Sequence, residues 1–562
     1  MKRRYNQNID PDEIFLDVRN SPDFNEQQFE GHIEKAISVK TIKFFSYFCF
    51  AVFVLLVWKT ADLQIVQGKD LFSKSLENKL DRTPVIAERG VIYDRNGIEL
   101  AWNSEYQADQ DILKRSYTKS PGLSHILGYV NYPKKDDSGI FWRTEYIGRS
   151  GAELTYNDIL SGKNGVKYFE TNAKGDIVSS GGVTPSVPGS NIYLSVDQRV
   201  SSAIYDGLKS VSEDVGYRGG AGVIMDIKTG EIIALTSYPE YSSEVLSTGT
   251  DKEIIEGYSK DIGKPYMNKV VLGRYTPGSI VKPFVALAAL AENVINPLKT
   301  IYSSGSISIP NPYYPELKST FYDWKAHGAV DMRRAIAVSS DVYFYEIGGG
   351  FEGQKGIGIA NIDKYSKLFG IGEMTGINVP EEADGLIPTP EWKKKTFKGD
   401  AWRVGDTYNT SIGQYGYQVT PIQMVRAIGA LANKGELIVP TLLKDEVGEK
   451  SKIDNFTEEM YKIVHEGMRM TVTEGTAQIL NTGAVQIAAK TGTAQVGISK
   501  SRINSWSVGF FPYENPRYAF TVLLESGPSE NGVSASVAFR KAIDKLNLEY
   551  PEFFESILAK SL

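Results

Sequence analysis

The chain has 562 residues, a hydrophobic fraction of 41% and a formal net charge of −6 at pH 7. Such a length predicts several domains, and the composition is that of a folded, globular protein. The acidic balance argues against a nucleic-acid partner, and the single cysteine, Cys49, excludes a disulfide within one chain.

An apolar segment near the N-terminus is predicted to span a membrane. Residues 1–41 are polar and predict a cytoplasmic tail, whereas Ile42 to Trp58 is almost wholly apolar. A bilayer needs about 20 such residues, so we expect a transmembrane helix over 42–60. Alternatives are a buried core helix and a signal peptide, but the tail is too long for the latter. Three lysines favour a cytoplasmic N-terminus: Lys35, Lys40 and Lys43.

Residues 61–210 form a region with turns but little chemistry. Leu71 to Asp81 predicts a helix, and residues 89–97 predict a strand ending in a tight turn at Asn96-Gly97. The charges are scattered and form no ligand cluster. We therefore expect a β-rich, non-catalytic module that acts as a spacer and a protein-contact platform.

Residues 211–555 predict an α+β domain with an antiparallel sheet flanked by helices. Lys228-Thr229-Gly230 separates two apolar runs and predicts a hairpin. Further strands are expected near residues 485–489, 507–510 and 518–524, with helices in between. Segments 299–325 and 392–410 predict long loops near a cleft.

Ser279 and Lys282 carry the first chemical signal of this domain. They follow the turn Pro277-Gly278, and the chain is then apolar on every side through Leu290, which predicts a core helix. Their spacing places both on one helix face. Burial favours a neutral lysine, which can take the proton of the serine and make it a nucleophile. An S-x-x-K pair alone arises often by chance, so companion motifs decide its meaning.

Two companions follow in the order expected of penicillin-interacting serine enzymes. Ser339-Ser340-Asp341 lies between two predicted helices, where a plain turn or helix cap is the alternative. Lys490-Thr491-Gly492 ends an apolar run and predicts a strand along one wall of the cleft. The earlier Lys-Thr-Gly copy at residue 228 precedes the serine and is interpreted as structural.

These three motifs resemble those of the class B penicillin-binding proteins, the peptidoglycan D,D-transpeptidases. The resemblance covers nearly everything after the membrane segment. Several further stretches are similar to the elongation-type branch: 267–285, 321–324, 340–345, 388–393, 405–416 and 420–424. Residues 61–210 resemble the pedestal module of these enzymes.

The resemblance implies roles for the motif residues. Ser279 is then the acylated nucleophile, Lys282 the general base and Ser339 the proton relay to the leaving amine. Lys490 supplies positive charge and holds the lysines and serines in register. Asp341 stands where many relatives have asparagine, and an ionised aspartate can only accept hydrogen bonds.

The strand residues Thr491, Gly492 and Thr493 are then substrate-binding. Both threonines contact the terminal carboxylate of the substrate, and the backbone N–H groups of Ser279 and Thr493 form an oxyanion hole. Peptidoglycan stem peptides and β-lactams are the implied ligands. The implied partners are a polytopic glycan polymerase and elongation-complex proteins at the inner membrane, with the catalytic domain extracytoplasmic.

No cofactor or metal is predicted. Histidines occur at residues 32, 125, 327 and 465, and Lys282 makes a Ser-His-Asp mechanism unnecessary. Some elongation-type relatives hold a metal with carboxylates, a histidine and a cysteine near Asp323 and His327, but this chain offers no cysteine there.

Two other functions remain open at this point. The same serine chemistry with water as acceptor would give a D,D-carboxypeptidase or a β-lactamase. A catalytically silent scaffold or β-lactam sensor is the non-enzymatic alternative. The complete set of motif residues disfavours a silent site, and the tail before Ile42 contains no recognisable signalling module.

Overall fold

The computed structural model describes residues 38–71, 80–104, 112–137, 139–171, 177–311, 313–497, 500–530 and 532–559. The predicted tail therefore lies outside the described residues, except for 38–41. The chain divides into two compact units. One comprises residues 1–81 and 168–181, and the other comprises residues 82–167 and 182–562.

The N-terminal apolar segment forms one long helix. Helix α1 (Val39–Ala61) continues as a π-helical turn over Asp62–Val66, and the Ser38 hydroxyl caps its first turn. None of the α1 residues is buried. The whole stretch, Val39–Val66, has 28 residues and is long and apolar enough to cross a membrane. The helix therefore extends beyond the predicted residues 42–60 at both ends, and about 20 of its residues suffice to span a bilayer.

Short strands and helices follow up to residue 193. The strands are β1 (Leu80–Val85), β2 (Ile92–Tyr93), β3 (Glu99–Ser104), β4 (Lys114–Tyr117), β5 (Val130–Asn131), β6 (Lys134–Lys135), β7 (Phe141–Arg143), β8 (Ile147–Gly148), β9 (Gly165–Thr171), β10 (Ile177–Thr184) and β11 (Ile192–Tyr193). The helices are α2 (Ser124–Leu127), α3 (Gly151–Thr155) and α4 (Asn157–Leu160). The larger sheets have the orders β1-β9-β10 and β11-β2-β3-β4.

A buried ion-pair triad fixes this β-rich region. The Glu153 carboxylate accepts from Arg89 Nε at 2.5 Å and from Arg115 Nε at 2.7 Å, and all three side chains are fully buried. A buried charge is tolerated only when it is paired and hydrogen-bonded, so the triad ties α3 to β4 and to the residues just before β2.

The predicted turn at Asn96-Gly97 is confirmed. Asp94 accepts from the Asn96 amide, and Gly97 has φ +81°.

The remaining strands are β12 (Gly219–Asp226), β13 (Ile232–Tyr238), β14 (Ile301–Ser303), β15 (Ser306–Pro310), β16 (Lys318–Tyr322), β17 (Gly328–Val330), β18 (Glu436–Ile438), β19 (Lys450–Lys452), β20 (Ala488–Val496), β21 (Arg502–Phe511) and β22 (Tyr518–Pro528). The helices are α5 (Gln198–Val215), α6 (Ser243–Thr248), α7 (Lys252–Lys260), α8 (Lys282–Ala291), α9 (Met332–Val338), α10 (Asp341–Gly349), α11 (Gly358–Leu368), α12 (Pro390–Thr396), α13 (Val404–Ser411), α14 (Pro421–Ala432), α15 (Glu458–Thr473), α16 (Ala535–Glu549) and α17 (Glu552–Ala559). Short 3-10 turns occupy Gly278–Val281 and Gln478–Leu480.

A five-stranded antiparallel sheet organises this part of the chain. Its order is β13-β12-β22-β21-β20, so the first two strands pair with the last ones, as predicted. Helices α5 and α16 cover one face, and α14 and α15 cover the other. Every residue of β12 is buried, which is what a strand covered on both faces requires. The first Lys-Thr-Gly copy is the predicted hairpin turn between β12 and β13.

Two local predictions are wrong. Leu80–Val85 is a strand, so the helix predicted up to Asp81 fails at its end, while residues 72–79 lie outside the described residues. Segments 299–325 and 392–410 are not structureless: the first holds β14 to β16, and the second holds parts of α12 and α13. Strands β15 and β16 form a hairpin, and β14 pairs with β17 outside the segment.

The buried histidine of α15 predicts an acid-sensitive fold. His465 donates from Nε2 to Leu431 O at 2.9 Å and packs on Phe510. Burial lowers the pKa of His465 to about 4, against roughly 6.5 when unfolded. Between these values the unfolded state binds more protons, so the free energy of unfolding falls as the pH falls from about 6.5 towards 4.

His465→Gln keeps a donor for Leu431 O and removes the titration. The free energy of unfolding, measured with urea, should fall from pH 7 to pH 5 in both proteins. The fall should be smaller in the variant than in wild type by about 2 kcal/mol. Other ionisable groups are the same in both proteins, so they cancel in this difference. Equal losses in the two proteins would contradict the assignment.

Candidate active site

The turn that carries Ser279 is held by backbone contacts on two sides. The Gly278 amide donates to Gly413 O at 2.9 Å, and Trp506 Nε1 donates to Thr276 O at 3.0 Å. Gly278 has φ +60°, and a Cβ there would lie 2.8 Å from Thr493 O. Only glycine fits such a crowded left-handed position. The serine backbone is therefore fixed against β20.

Lys282 opens α8 and points to the second motif. It has no exposed surface, and Nζ donates to Ser339 O at 2.7 Å and to Asp341 Oδ1 at 2.6 Å. Ser339 Oγ lies 3.3 Å from the same nitrogen, and the Phe344 ring lies 5.3 Å away. The Asp341 carboxylate thus accepts a hydrogen bond from the lysine.

Ser339 occupies a strained backbone position between two helices. It ends α9 with φ +59°, in the left-handed region that non-glycine residues rarely adopt. Ser340 then caps α10, and its hydroxyl accepts from the Tyr343 amide. Such strain persists only where surrounding contacts hold it, and it clusters at functional sites. Here it turns Ser339 and Asp341 towards Lys282.

Lys490 approaches the same hydroxyl from β20. Its Nζ donates to Ser339 Oγ at 2.8 Å and to Thr491 O at 2.8 Å, and its side chain is fully buried. Burial and then the positive charge of Lys282 lower the pKa of Lys490 well below its usual range, while Asp341 opposes the shift. The Ser339 hydroxyl thus lies between two buried lysine nitrogens.

Ser279 itself is half-buried. Within the described part of the chain its hydroxyl has no hydrogen-bond partner, so the expected contact with Lys282 is not made in this state. The lysine is paired with Asp341 instead. The prediction for Lys282 considered burial alone. It did not include the Asp341 carboxylate, whose Oδ1 lies 2.6 Å from Lys282 Nζ.

Strand β20 forms one wall beside the serine. Gly492 faces the serine turn, because a Cβ there would lie 2.8 Å from Pro277 O and 2.9 Å from Ile280 Cγ2. Thr491 Oγ1 lies 2.5 Å from Thr476 Oγ1, while Thr493 is exposed. The structure thus brings the predicted strand residues against the turn of Ser279.

The residues near Asp323 do not fit a metal site. His327 Nε2 lies 3.5 Å from Asp323 Oδ1. Among the described residues, no group of three or more histidine, cysteine, aspartate or glutamate side chains could hold a metal ion. Transition-metal sites in proteins take three or four such ligands, and two side chains fall short of that.

Sequence reasoning missed a support for the serine turn. Lys393 is nearly fully buried and donates to Asp406 Oδ2 at 2.6 Å, with Asp400 Oδ2 at 3.1 Å. This ion pair ties α12 to α13, the helix that leads into Gly413. The glycines at residues 413 and 416, both with positive φ, are the signal in the sequence that could have indicated a special backbone.

Comparisons with known proteins agree with this arrangement. Residues 220–544 match the family "Penicillin binding protein transpeptidase domain", and residues 109–194 match "Penicillin-binding Protein dimerisation domain". Among curated proteins, "Peptidoglycan D,D-transpeptidase MrdA" of Haemophilus influenzae is 32% identical, covering 78% of this chain and 70% of the relative. The protein of that name from Escherichia coli is 28% identical, covering 88% and 92%.

Solved structures show the same likeness. Pseudomonas aeruginosa PBP2 in complex with WCK 5153 superposes with a TM-score of 0.68 at 31% identity, covering 84% of this chain and 97% of that one. The complex between PBP2 and MreC from Helicobacter pylori gives a TM-score of 0.68 at 27% identity, covering 84% and 100%.

Gly413→Ala is expected to impair the serine turn. The added Cβ would lie 2.2 Å from Gly278 O, and Gly413 has φ +75°, so the backbone beside Ser279 must move. Displacing a reacting group by about 1 Å can cost about 100-fold, and we expect acylation of Ser279 by a fluorescent penicillin to slow by about 10- to 100-fold.

Gly483→Ala is the matched control, since nothing lies within 4 Å of a Cβ at Gly483. It should label at the wild-type rate. Wild-type labelling of Gly413→Ala would show that the Gly413–Gly278 contact does not position the nucleophile.

Proposed function

The chain belongs to the penicillin-binding protein family of serine peptidoglycan D,D-transpeptidases, and from this premise we propose that Ser279 is the residue acylated in cell-wall cross-linking. Ser279 Oγ attacks the carbonyl carbon of the D-Ala–D-Ala bond of a stem peptide. The ester forms, the peptide bond breaks and D-alanine leaves. An amine of a neighbouring stem peptide then attacks the ester, which forms the cross-link and frees the serine.

The observation that carries this assignment is the Ser339 hydroxyl between the Lys282 and Lys490 nitrogens, at 3.3 and 2.8 Å. We propose that Lys282 and Ser339 move the serine proton to the leaving amine, while Asp341 orients Lys282. Positioned proton transfer of this kind contributes about 10²- to 10⁴-fold.

We propose that the β20 wall binds the substrate. Thr491 and Thr493 would hold the terminal carboxylate, with Gly492 allowing the close approach of the strand. The amides of Ser279 and Thr493 would stabilise the oxyanion. Support comes from the packing of Gly278 and Gly492 between the serine turn and β20. β-Lactams, which mimic the peptide, would acylate the same serine.

Helix α1 anchors the enzyme in a membrane, and we propose its orientation and surroundings. Lysines at residues 35, 40 and 43 favour a cytoplasmic N-terminus and an extracytoplasmic catalytic domain at the inner membrane. We propose a cytoplasmic tail over residues 1–41, a transmembrane helix over 42–60, a pedestal module that begins at residue 61 and a catalytic domain that ends at residue 555. The boundary between the last two, expected at residues 210 and 211, is placed before residue 198, because α5 packs on the central sheet.

We further propose elongation-complex proteins and a polytopic glycan polymerase as partners. The Helicobacter pylori relative was solved together with MreC, and the proposal of a polymerase partner rests on the family resemblance.

A protease experiment tests the orientation of the chain in the membrane. Protease added outside spheroplasts should remove the catalytic domain and leave α1 in the membrane. Protection of the whole chain would contradict the orientation.

Labelling with a fluorescent penicillin tests the nucleophile. Wild-type protein should label covalently and Ser279→Ala should not. Lys282→Arg keeps the charge but cannot act as a neutral base, and we expect its acylation to slow by about 100-fold or more. Labelling of Ser279→Ala would refute the assignment.

Product analysis separates transfer from hydrolysis. Cross-linked muropeptide dimers are expected from stem-peptide substrates. Free D-alanine without dimers would favour a D,D-carboxypeptidase. Covalent label without either product would favour a β-lactam sensor, and absence of both label and products would favour a scaffold.

A further inference from the structure

We propose that Asp323 is a positioning residue for acyl transfer, whose carboxylate holds the turn that presents Ser339 and Asp341 to Lys282. This inference rests on the proposed function. It gives Asp323 a role made entirely of hydrogen bonds within this chain.

One oxygen of Asp323 gathers three donors. Oδ2 accepts from Ser340 Oγ at 2.8 Å, from the Val342 amide at 3.0 Å and from Ser303 Oγ at 3.1 Å. Two of these donors flank Asp341, and Ser340 directly follows Ser339. The carboxylate itself has no exposed surface. It therefore bonds the residues on each side of the catalytic aspartate.

The other oxygen fixes the segment from which Asp323 comes. Oδ1 accepts from the Trp324 amide at 2.9 Å, and His327 Nε2 lies 3.5 Å away. Trp324 Nε1 in turn donates to Val338 O at 3.2 Å, one residue before Ser339. The same short segment thus contacts the Ser339 turn on both sides, at Val338 and at Ser340.

The charge of Asp323 suits its place at the start of α10. This helix has nine residues, and its first amides point towards the carboxylate. A negative charge at a helix N-terminus is stabilised by the helix dipole. Burial alone would raise the pKa of Asp323, but hydrogen bonds from the Asp341 and Val342 amides and from Ser340, together with the charge of Lys282, hold it below its ordinary value.

Holding this turn matters because Ser339 is strained. A left-handed serine relaxes unless its neighbours are fixed, and relaxation would move Oγ away from the two lysine nitrogens. Ser340 is the N-cap of α10, so its hydroxyl accepts from Tyr343 and donates to Asp323. The cap and the carboxylate act together on the residue between the two catalytic groups.

The same contacts fill much of the acceptor capacity of the carboxylate. Oδ2 accepts from Ser303, Ser340 and Val342, and Oδ1 accepts from Trp324, on a group that offers about four acceptor sites. Hydrogen bonding takes the organising role in this segment.

The test compares Asp323→Ala and Asp323→Asn with wild type in fluorescent-penicillin acylation, resolving the rate constant of acylation from the affinity of the first complex. None of the hydrogen bonds described for Asp323 reaches β20, so the affinity should stay within about twofold. The acylation rate constant should fall by about 10- to 100-fold in Asp323→Ala. Asp323→Asn, which keeps one acceptor oxygen, should show a smaller loss.

Asp331→Asn is the matched control, because Asp331 caps the neighbouring helix α9 with a single bond to the Arg334 amide. It should acylate at the wild-type rate. The fraction of protein labelled at long times separates slow chemistry from unfolding and should stay near that of wild type. If Asp323→Ala does not fold, the nearly isosteric Asp323→Asn decides, with a loss of at least about threefold expected.

Acylation of a folded Asp323 variant within twofold of wild type would overturn the inference and leave the proposed function intact. The inference would also be overturned if EDTA lowered the acylation rate of the wild-type protein and zinc restored it, because a metal would then organise the segment. A wild-type protein that does not label at all would refute the proposed function and this inference together.

Discussion

Two buried lysines share one serine hydroxyl in this protein, and the rest of the site is arranged around that contact. Like charges at such a distance in a dry interior repel strongly, so the arrangement requires a compensating anion. Asp341 supplies it at 2.6 Å from Lys282, and the pKa of Lys490 is lowered by burial and by its neighbour. Ser339 Oγ can then accept from one nitrogen and donate to the other as protons move.

The fold meets this requirement by joining three distant parts of the chain. The serine turn begins a helix inside the larger core, the Ser339 turn joins two helices, and Lys490 lies on a strand of the central sheet. Helices on both faces keep the sheet dry. The strained backbone of Ser339 and the crowded Gly278 persist only because long-range contacts hold them in place.

Much of this could be predicted from the sequence because the chemistry lies in short motifs. Their order selected Ser279, Lys282, Ser339 and Lys490, of which the structure brings the last three together, and it separated the two Lys-Thr-Gly copies. The pairing of Lys282 with Asp341, rather than with Ser279, was not predictable, since it depends on side-chain direction. The bonds of Asp323 to Ser340 and of Lys393 to Asp406 join residues 17 and 13 positions apart, a spacing that no helix or strand repeat predicts. The N-terminal helix extends past the predicted residues 42–60 because helical structure continues into polar residues such as Asp62.

The contact between Gly492 and the serine turn limits how such an enzyme could evolve drug resistance. Pro277 O and Ile280 Cγ2 leave no room for a side chain on that glycine, so any substitution there separates the strand from the nucleophile. Reaction with the inhibitor and reaction with the natural substrate would be lost together. Substitutions that discriminate between a β-lactam and the natural substrate would instead fall where a side chain meets the ligand, the role proposed for the exposed Thr493 on β20.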